Sequence, residues 1–260
     1  MQLKTVLYGE EGGIATITLN RPDKRNAISY ELIEDLLDAL ATAQHSNAQV
    51  AIITGAGKAF SAGMDLDNLR AVTGRSKAEN LKDSQTMAAL FRAIYDFPKP
   101  TIAAVNGAAI AGGCGIATLC DFTVASEEAK FGYTEVKIGF IPAIVSTFLI
   151  LQIGEKRARD LLLTGRIIDA SEAKQLGLVS DVIPGEQLME WARELAATLM
   201  QNSPASLRAT KRLLSGFSRE ALDQQIALAV EENARIRSTQ DFREGVTSFL
   251  EKRKPQWTGK

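Results

Sequence analysis

Apolar residues along the first part of the chain follow two different spacings, which predict strands and helices in alternation. Apolar segments at 6–8 and 14–20 flank a turn rich in Glu and Gly and predict a β-hairpin. Short apolar runs at 50–54 and 101–105 predict buried strands. Ser29, a residue type that caps helix N-termini, precedes residues at the 3.6-residue spacing of a helix: Leu32, Ile33, Leu36, Leu37 and Leu40.

Later in the chain the pattern becomes mainly helical. A last strand is predicted at 178–183 and a last helix at 242–254. We therefore predict an α/β fold with a core at 1–185 and a helical region at 186–260, whose helices pack on the core or on another subunit. The polar segment 66–85 predicts a mobile stretch with a fraying helix, a candidate lid.

Composition narrows the classes of function. The 260 residues are 45% hydrophobic and 23% charged, with a net charge of −1, so nucleic acid and anionic membranes are not expected partners. No apolar run reaches the roughly 18 residues of a membrane span, and the start of the chain does not resemble a signal peptide. Cys114 and Cys120 are expected to be reduced core thiols, which is consistent with a cytoplasmic protein.

The single histidine, His45, lies in a polar segment predicted to be a turn. A Ser-His-Asp hydrolase needs a histidine placed by the core, so this position argues against that class. Metal sites that use several imidazoles are also disfavoured, and no metal is expected. Proton transfer must then be carried out by carboxylates, lysine or tyrosine.

Two stretches rich in small residues follow the predicted strands at 50–54 and 101–105. They read Phe60-Ser61-Ala62-Gly63-Met64-Asp65-Leu66, and Val105-Asn106-Gly107 with Ala111-Gly112-Gly113. Each alone is compatible with a tight turn or with close packing of a helix end. Together they also fit two backbone N–H groups that converge on one oxygen, which is an oxyanion hole.

These stretches belong to a longer series of motifs that resembles the crotonase (enoyl-CoA hydratase/isomerase) superfamily over essentially the whole chain. The further motifs are Leu19-Asn20-Arg21-Pro22 through Asn26-Ala27, Cys120-Asp121, Phe131-Gly132 with Glu135, Gly139 and Pro142, and Gly245 to Lys254. The resemblance implies a spiral of ββα units followed by helices that drive trimer formation, often into dimers of trimers. It also implies an acyl-CoA thioester substrate and an enolate stabilised by the protein.

The resemblance assigns roles to individual residues. The oxyanion donors fall on the backbone N–H groups of Met64 and Gly112, and the acid–base residue on Glu135. Residues implied in binding CoA are Arg25, Ala27, Ala62, Gly63, Asp65 and Leu66, together with Phe249 and Lys252, which match positions that reach the nucleotide of a neighbouring subunit. A solvated lysine is an equally good interpretation of Lys252, and Asp65 is as well suited to orienting its turn. No cofactor is expected beyond the CoA of the substrate.

One element of the family pattern is missing. Hydratases carry a second glutamate three residues beyond the oxyanion glycine, where this chain has Gly115. Three interpretations stay open: a hydratase with another helper group, a Δ3,Δ2-enoyl-CoA isomerase that uses Glu135 alone, or a CoA-binding scaffold that has lost catalysis. The segments 134–139 and 142–146 most resemble branched-chain, methylglutaconyl-CoA-type hydratases. This favours a hydratase, in which Gly115 is expected to open room for a bulky acyl group.

Overall fold

The computed structural model describes residues 3–260; residues 1 and 2 of the predicted core lie outside the described residues. The strands are β1 Val6–Glu11, β2 Ile14–Leu19, β3 Val50–Gly55, β4 Ala59–Ser61, β5 Thr101–Val105, β6 Ala108–Ile110, β7 Phe122–Ser126, β8 Lys130–Gly132, β9 Ile167–Asp169 and β10 Asp181–Ile183. The helices are α1 Tyr30–His45, α2 Leu66–Val72, α3 Lys77–Tyr95, α4 Gly112–Thr118, α5 Ala143–Ile153, α6 Glu155–Thr164, α7 Ala170–Leu176, α8 Leu188–Met200, α9 Pro204–Gly216, α10 Arg219–Ile236 and α11 Gln240–Leu250.

A repeated ββα unit contributes one strand to each of two sheets. The larger sheet has the order β1-β2-β3-β5-β7-β10 and the smaller has the order β4-β6-β8-β9. In each unit the first strand joins the larger sheet and the second joins the smaller, as in β3 and β4, β5 and β6, and β7 and β8. The predicted α/β spiral of ββα units is therefore confirmed.

The middle of the larger sheet is covered on both faces, which explains why β3 and β5 are buried almost throughout. Ala51 and Ile53 of β3 face the main core, which also holds α1 and α3. Val50 and Ile52 face the opposite side, where they pack with residues of α8. The first C-terminal helix thus packs on the core, as one of the two sequence-based expectations had it.

A second sheet was not predicted from the sequence, although a short strand at 129–131 was predicted where β8 lies. Its strands β4, β6 and β9 have only three residues each, too few for a period of two to stand out from the loops around them. Boundaries were also wrong elsewhere. The predicted strand at 178–183 is limited to β10, and the helix predicted at 242–254 is α11, whose N-terminus is capped by Thr239.

The segment 66–85, predicted as a mobile stretch with a fraying helix, is mostly helical, because α2 and the start of α3 occupy it. Ser76 begins α3 with a capping box in which its side chain and that of Glu79 bond each other's backbone N–H groups. The polar residues that suggested a loop include Asp83 and Ser84, which are buried against α10. These polar side chains bond Asn233 and Arg237 and do not face solvent.

Other sequence-based expectations concern single side chains. Cys114 and Cys120 are free, buried thiols, as predicted, and burial raises the pKa of each to about 12. His45 is exposed, but it is the last residue of α1 rather than part of a turn. Among residues 3–260, no helix combines the length and apolar composition needed to cross a membrane.

Candidate active site

A cavity of about 460 Å³ lies between the segments that follow strands β4, β6 and β8 of the smaller sheet and the helices α2, α3, α5 and α10. Its mouth is bordered by exposed residues of the loop before α1, among them Arg25, and by Phe249 of α11. Its walls are mostly apolar, and Met64, Gly112 and Glu135 all line it. The three residues predicted to carry the chemistry are therefore brought to one space.

The backbone around Met64 is fixed so that its N–H group stays free. The N–H of Ile28 donates to the carbonyl of Gly63 at 2.7 Å, and the N–H of Asp65 donates to the carbonyl of Ile28 at 3.0 Å. These bonds hold the residues on either side of Met64. Within residues 3–260, the Met64 N–H itself has no acceptor. Gly63 permits the turn because its φ is 84°, which other residues rarely adopt.

The second free N–H group belongs to Gly112, the first residue of α4. Ala111, just before it, has a φ of 51°, a strained value for a residue with a side chain. A hydrogen bond of 2.7 Å from the Ala111 N–H to the carbonyl of Gly132 holds this conformation. The first N–H groups of a helix have no acceptor inside the helix, and none of the other described residues supplies one to Gly112.

The two turns touch each other. A Cβ atom added to Gly63 would lie 3.0 Å from the carbonyl oxygen of Ile110 and 3.1 Å from the Cβ of Ala111. A Cβ added to Gly113 would lie 2.6 Å from both the Cβ and the carbonyl oxygen of Ser61. Small residues in both stretches therefore allow β4 and α4 to approach closely. This contact places the free N–H groups of Met64 and Gly112 on neighbouring segments of one cavity wall.

Glu135 supplies a buried carboxyl group without a counter-charge. It begins a short 3₁₀ helix, Glu135–Ile138, and is only 8% exposed. Its Oε2 atom is buried and has no hydrogen-bond partner in the described part of the chain. Burial disfavours the charged form and raises the pKa of Glu135 to about 7. Glu135 is thus more deeply buried than the partial burial expected from the sequence. With this pKa, its carboxyl can take up and release a proton near neutral pH.

The other carboxyl groups of the cavity are differently placed. Asp65 is paired with Arg21 at 2.8 Å and caps α2, and Asp83 is paired with Arg75 and Arg237. Asp23 is exposed at the mouth. Glu135 is therefore the one cavity carboxyl within residues 3–260 that is both buried and unpaired.

The expectation that Gly115 opens room for the acyl group is wrong. Gly115 is buried in α4 and does not line the cavity. A Cβ added to it would lie 2.7 Å from Cγ1 of Val145 and 3.0 Å from Cζ of Phe91. These two side chains fill the space in which a second glutamate would begin. The space that a second carboxylate would need is therefore filled by Val145 and Phe91 and is not open to a substrate.

Most residues that the sequence implicated in CoA binding border the cavity, but two do not. Those that line it are Arg25, Ala27, Ala62, Asp65, Leu66 and Phe249. Gly63 and Lys252 are not part of the lining. Gly63 acts through its backbone conformation, as described above. Lys252 is exposed just after α11, with a φ of 55°, and this exposure is compatible both with a solvated lysine and with a contact to the nucleotide of a neighbouring subunit.

Asn26 organises the loop at the mouth, a role that sequence reasoning did not assign to it. Its side chain donates to the carbonyls of Ala56 and Ala59 and accepts from the N–H of Arg21. It is fully buried and has a φ of 54°, which asparagine tolerates better than most residues. A buried asparagine in a left-handed conformation was the available signal, but only the structure shows the burial.

A buried polar cluster that lines the cavity was also missed. Asp83, Asn233 and Arg237 line the cavity, and each is at least nine-tenths buried. The guanidinium of Arg237 donates to Asn233 Oδ1 at 2.8 Å and pairs with Asp83. It also lies over the ring of Phe140, 5.2 Å from the ring centre. In the sequence, Leu222, Ile226 and Val230 follow the spacing of a helix that continues to Asn233, and this polar residue in an apolar stripe was the signal for the cluster.

Comparisons with known proteins agree with this geometry. Residues 9–260 match the family model described as enoyl-CoA hydratase/isomerase. A Thermus thermophilus protein provisionally assigned as an enoyl-CoA hydratase is 47% identical over 95% of this chain and 98% of its own length. The 2,3-dehydroadipyl-CoA hydratase of Escherichia coli is 36% identical over 99% of this chain and its full length. A crystal structure of an enoyl-CoA hydratase/isomerase from Xanthobacter autotrophicus superposes with a TM-score of 0.89 at 30% identity, covering 96% of this chain and 97% of that one.

Proposed function

Because the chain belongs to the enoyl-CoA hydratase/isomerase family, we propose that it adds water reversibly across the 2,3 double bond of an enoyl-CoA thioester. One observation carries the proposal. Two free backbone N–H groups, of Met64 and Gly112, share a cavity with the buried and unpaired carboxyl of Glu135. This combination suits a reaction that builds negative charge on a carbonyl oxygen and moves a proton next to it.

In the proposed reaction the thioester oxygen accepts hydrogen bonds from the N–H groups of Met64 and Gly112. The Glu135 carboxylate takes a proton from water as the hydroxide adds to C3, and the electron pair of the double bond moves to form an enolate. The two N–H groups stabilise the enolate oxygen. Protonated Glu135 then delivers its proton to C2, which restores the carboxylate and completes the addition. One carboxyl group thus serves as base and then as acid.

The pKa of about 7 supports this double role. A group that must accept a proton in one step and donate it in the next works best when its pKa lies near the working pH. The apolar walls contribute by excluding water from around Glu135, which also strengthens the hydrogen bonds to the oxyanion.

A second candidate function is favoured by the wall at Gly115. Val145 and Phe91 occupy the space in which a second carboxylate would begin. The site therefore has one acid–base group, whereas two-carboxylate hydratases have two. A single carboxylate is sufficient for Δ3,Δ2-enoyl-CoA isomerisation, in which Glu135 removes a proton from C2 and returns it to C4. We favour hydration because it is the activity in the names of the relatives from T. thermophilus and E. coli. The scaffold alternative is disfavoured because the proton-transfer group and both N–H donors are retained.

We further propose that the CoA moiety lies at the mouth, near Arg25, Ala27, Ala62, Leu66 and Phe249, which border it. The acyl chain then extends into the apolar interior. A branched acyl group of the methylglutaconyl type remains a proposal that rests on the sequence resemblance. A cytoplasmic location is also a proposal, and it rests on the two free cysteines, Cys114 and Cys120.

We also propose that the chain forms a homo-oligomer, a trimer or a dimer of trimers. Helix α9 contains no buried residue, although it carries Leu213 and Leu214, each about 60% exposed. Phe217, just after it, is 75% exposed. Apolar side chains in such a group are typical of a protein–protein contact. Light scattering coupled to size-exclusion chromatography should give a mass of three or six chains, and a mass of one chain would contradict the proposal.

The experiment that tests the function follows the enoyl-thioester absorbance of crotonyl-CoA, 3-methylglutaconyl-CoA and a 3-enoyl-CoA with the purified protein. We expect loss of the 2-enoyl signal through hydration. A gain of that signal from the 3-enoyl substrate would identify isomerisation instead. Turnover of none of the three, with CoA thioesters still bound, would support the scaffold alternative.

The Glu135→Gln variant tests the assigned acid–base group. It keeps the side-chain volume but cannot take up a proton, so we expect kcat to fall by at least about a hundredfold with little change in thioester binding. Glu34→Gln, an exposed glutamate on α1, is the matched control and should retain wild-type kcat. Wild-type turnover by Glu135→Gln would refute the assignment.

A further inference from the structure

We propose that the side-chain hydroxyl of Thr134 holds the attacking water beside Glu135 and so orients it for addition to the double bond. The proposal rests on the hydratase function above and names the group that positions the water of that reaction. Water attacks C3 with a lone pair of its oxygen, while one of its hydrogens passes to the Glu135 carboxylate. Its second hydrogen also needs an acceptor, because an O–H group without one is costly to place in an apolar cavity.

Few side chains of the cavity can accept that second hydrogen. The oxygens of Asp65, Asp83 and Asn233 already accept hydrogen bonds from arginine side chains. Asp23 is exposed at the mouth. Apart from the acid–base group itself, Thr134 carries the one remaining side-chain oxygen of the lining in the described part of the chain. The second acceptor for the water is therefore sought at this residue.

The fold leaves the hydroxyl of Thr134 free. Thr134 precedes the 3₁₀ helix Glu135–Ile138, a position at which a threonine oxygen often accepts from a backbone N–H, but its side chain makes no such capping bond. Within residues 3–260, Thr134 Oγ1 has no hydrogen-bond partner, yet it is not among the unpartnered polar atoms that are fully buried. Thr134 is half-buried and lines the cavity. Its oxygen is thus accessible and available to a water molecule.

Thr134 and Glu135 are neighbours in a segment that is fixed on both sides. Before them, the buried Tyr133 bonds through its hydroxyl to Thr118 Oγ1 of α4 at 3.1 Å. After them, the N–H of Phe140 donates to the Glu135 carbonyl at 3.1 Å. A water bonded to both Thr134 and Glu135 is therefore held by a rigid part of the chain, which favours one orientation for attack.

A hydroxyl suits this role better than the donor groups of the lining. The amide nitrogen of Asn233 and the guanidinium of Arg237 can only donate, and a bond donated to the water oxygen would draw on the lone-pair electrons that attack C3. The Thr134 oxygen has two lone pairs and accepts the second hydrogen of the water, while its own O–H is free to rotate. The water is then bound through its hydrogens, and its oxygen remains available for C3.

The test separates the addition of water from proton transfer at C2. Hydration of crotonyl-CoA or 3-methylglutaconyl-CoA requires Glu135, the two N–H donors and a positioned water. Exchange of the C2 protons of the saturated thioester butyryl-CoA in D₂O requires only Glu135 and the two N–H donors, and mass spectrometry follows it. Loss of a group that holds the water should slow hydration alone, whereas loss of a group that only shapes the segment should slow both reactions.

Thr134→Val keeps the side-chain shape and removes the hydroxyl. We expect its kcat for hydration to fall about tenfold, the upper range for one neutral hydrogen bond, with KM and the exchange rate within about twofold of wild type. Thr134→Ser keeps the hydroxyl and should retain most of the wild-type kcat. Thr198→Val, at an exposed threonine of α8, is the matched control and should leave both reactions unchanged.

The outcomes separate the two proposals. If wild type hydrates neither 2-enoyl thioester, the proposed function fails. If wild type hydrates and Thr134→Val does so at the wild-type rate, slows both reactions equally, or is matched in its loss by Thr134→Ser, the role of Thr134 is overturned and the hydratase function stands. If wild type hydrates without measurable exchange, the kcat values of Thr134→Val and Thr134→Ser decide the role: equal values overturn it, and a loss confined to Thr134→Val supports it.

Discussion

The buried carboxyl of Glu135 should weaken the fold at the pH at which it acts. Its pKa is raised from 4.5 to about 7 because burial penalises the charged form and no cation lies beside it. In the unfolded chain the carboxyl regains its ordinary pKa. As the pH rises from 4.5 through 7, the unfolded state loses its proton first, and stability falls.

The size of this effect follows from the shift. A difference of about 2.5 pKa units corresponds to about 3 kcal/mol, at 1.36 kcal/mol per unit. The full cost is present above pH 7 and absent below pH 4.5. Glu135→Gln removes the ionisation and keeps the volume. We therefore expect this variant to gain about 3 kcal/mol in free energy of unfolding relative to wild type between pH 4.5 and pH 8.

The assay is urea denaturation of wild type and Glu135→Gln at pH 4.5 and pH 8, with the protein concentration fixed because an oligomer unfolds in a concentration-dependent way. Glu34→Gln serves as the exposed control and should show no such gain. If the stability difference between wild type and Glu135→Gln is the same at both pH values, burial does not raise the pKa of Glu135 in the folded state, and the reasoning is refuted.

Three further substitutions test the packing around the site, each by the free energy of unfolding. Gly115→Ala should destabilise the fold by about 1 kcal/mol, because the cost of overpacking is larger than the helix propensity gained. Adding Val145→Ala should recover part of this loss. If Gly115→Ala stabilises the fold instead, the space around Gly115 is open. Gly113→Ala should cost about 3 kcal/mol, since its Cβ would meet the backbone at Ser61, and a neutral result would contradict the close approach of the two turns. Asn26→Ala should cost about 3 kcal/mol, about 1 for each of three hydrogen bonds, and a loss under 1 kcal/mol would mean that water replaces them.

Periodicity in the sequence was enough to predict most strands of the larger sheet and most helices, because those elements have five or more residues and bury a continuous stripe or run. It was not enough for the smaller sheet, in which strands such as β4 and β6 are only three residues long. It also misjudged 66–85, where Asp83 and Ser84 are polar because they bond another helix, not because they face water.

Short motifs and a family resemblance predicted the part of the site that lies in local stretches of sequence. Met64, Gly112 and Glu135 were identified through the family resemblance of their local stretches, and in the structure all three line one cavity. Arg237 was not identified, because its partner Asp83 is 154 residues away in sequence. The role of Gly115 was misread for the same reason, since Phe91 and Val145 come from two other helices.

The measurement that bears most directly on the account is a crystal structure of Glu135→Gln with crotonyl-CoA bound. We expect the thioester oxygen to lie within about 3.2 Å of the nitrogens of both Met64 and Gly112, with the side chain at position 135 beside C2 and C3. A thioester oxygen that contacts neither nitrogen, or a side chain at 135 on the far side of the acyl group, would contradict the proposed chemistry.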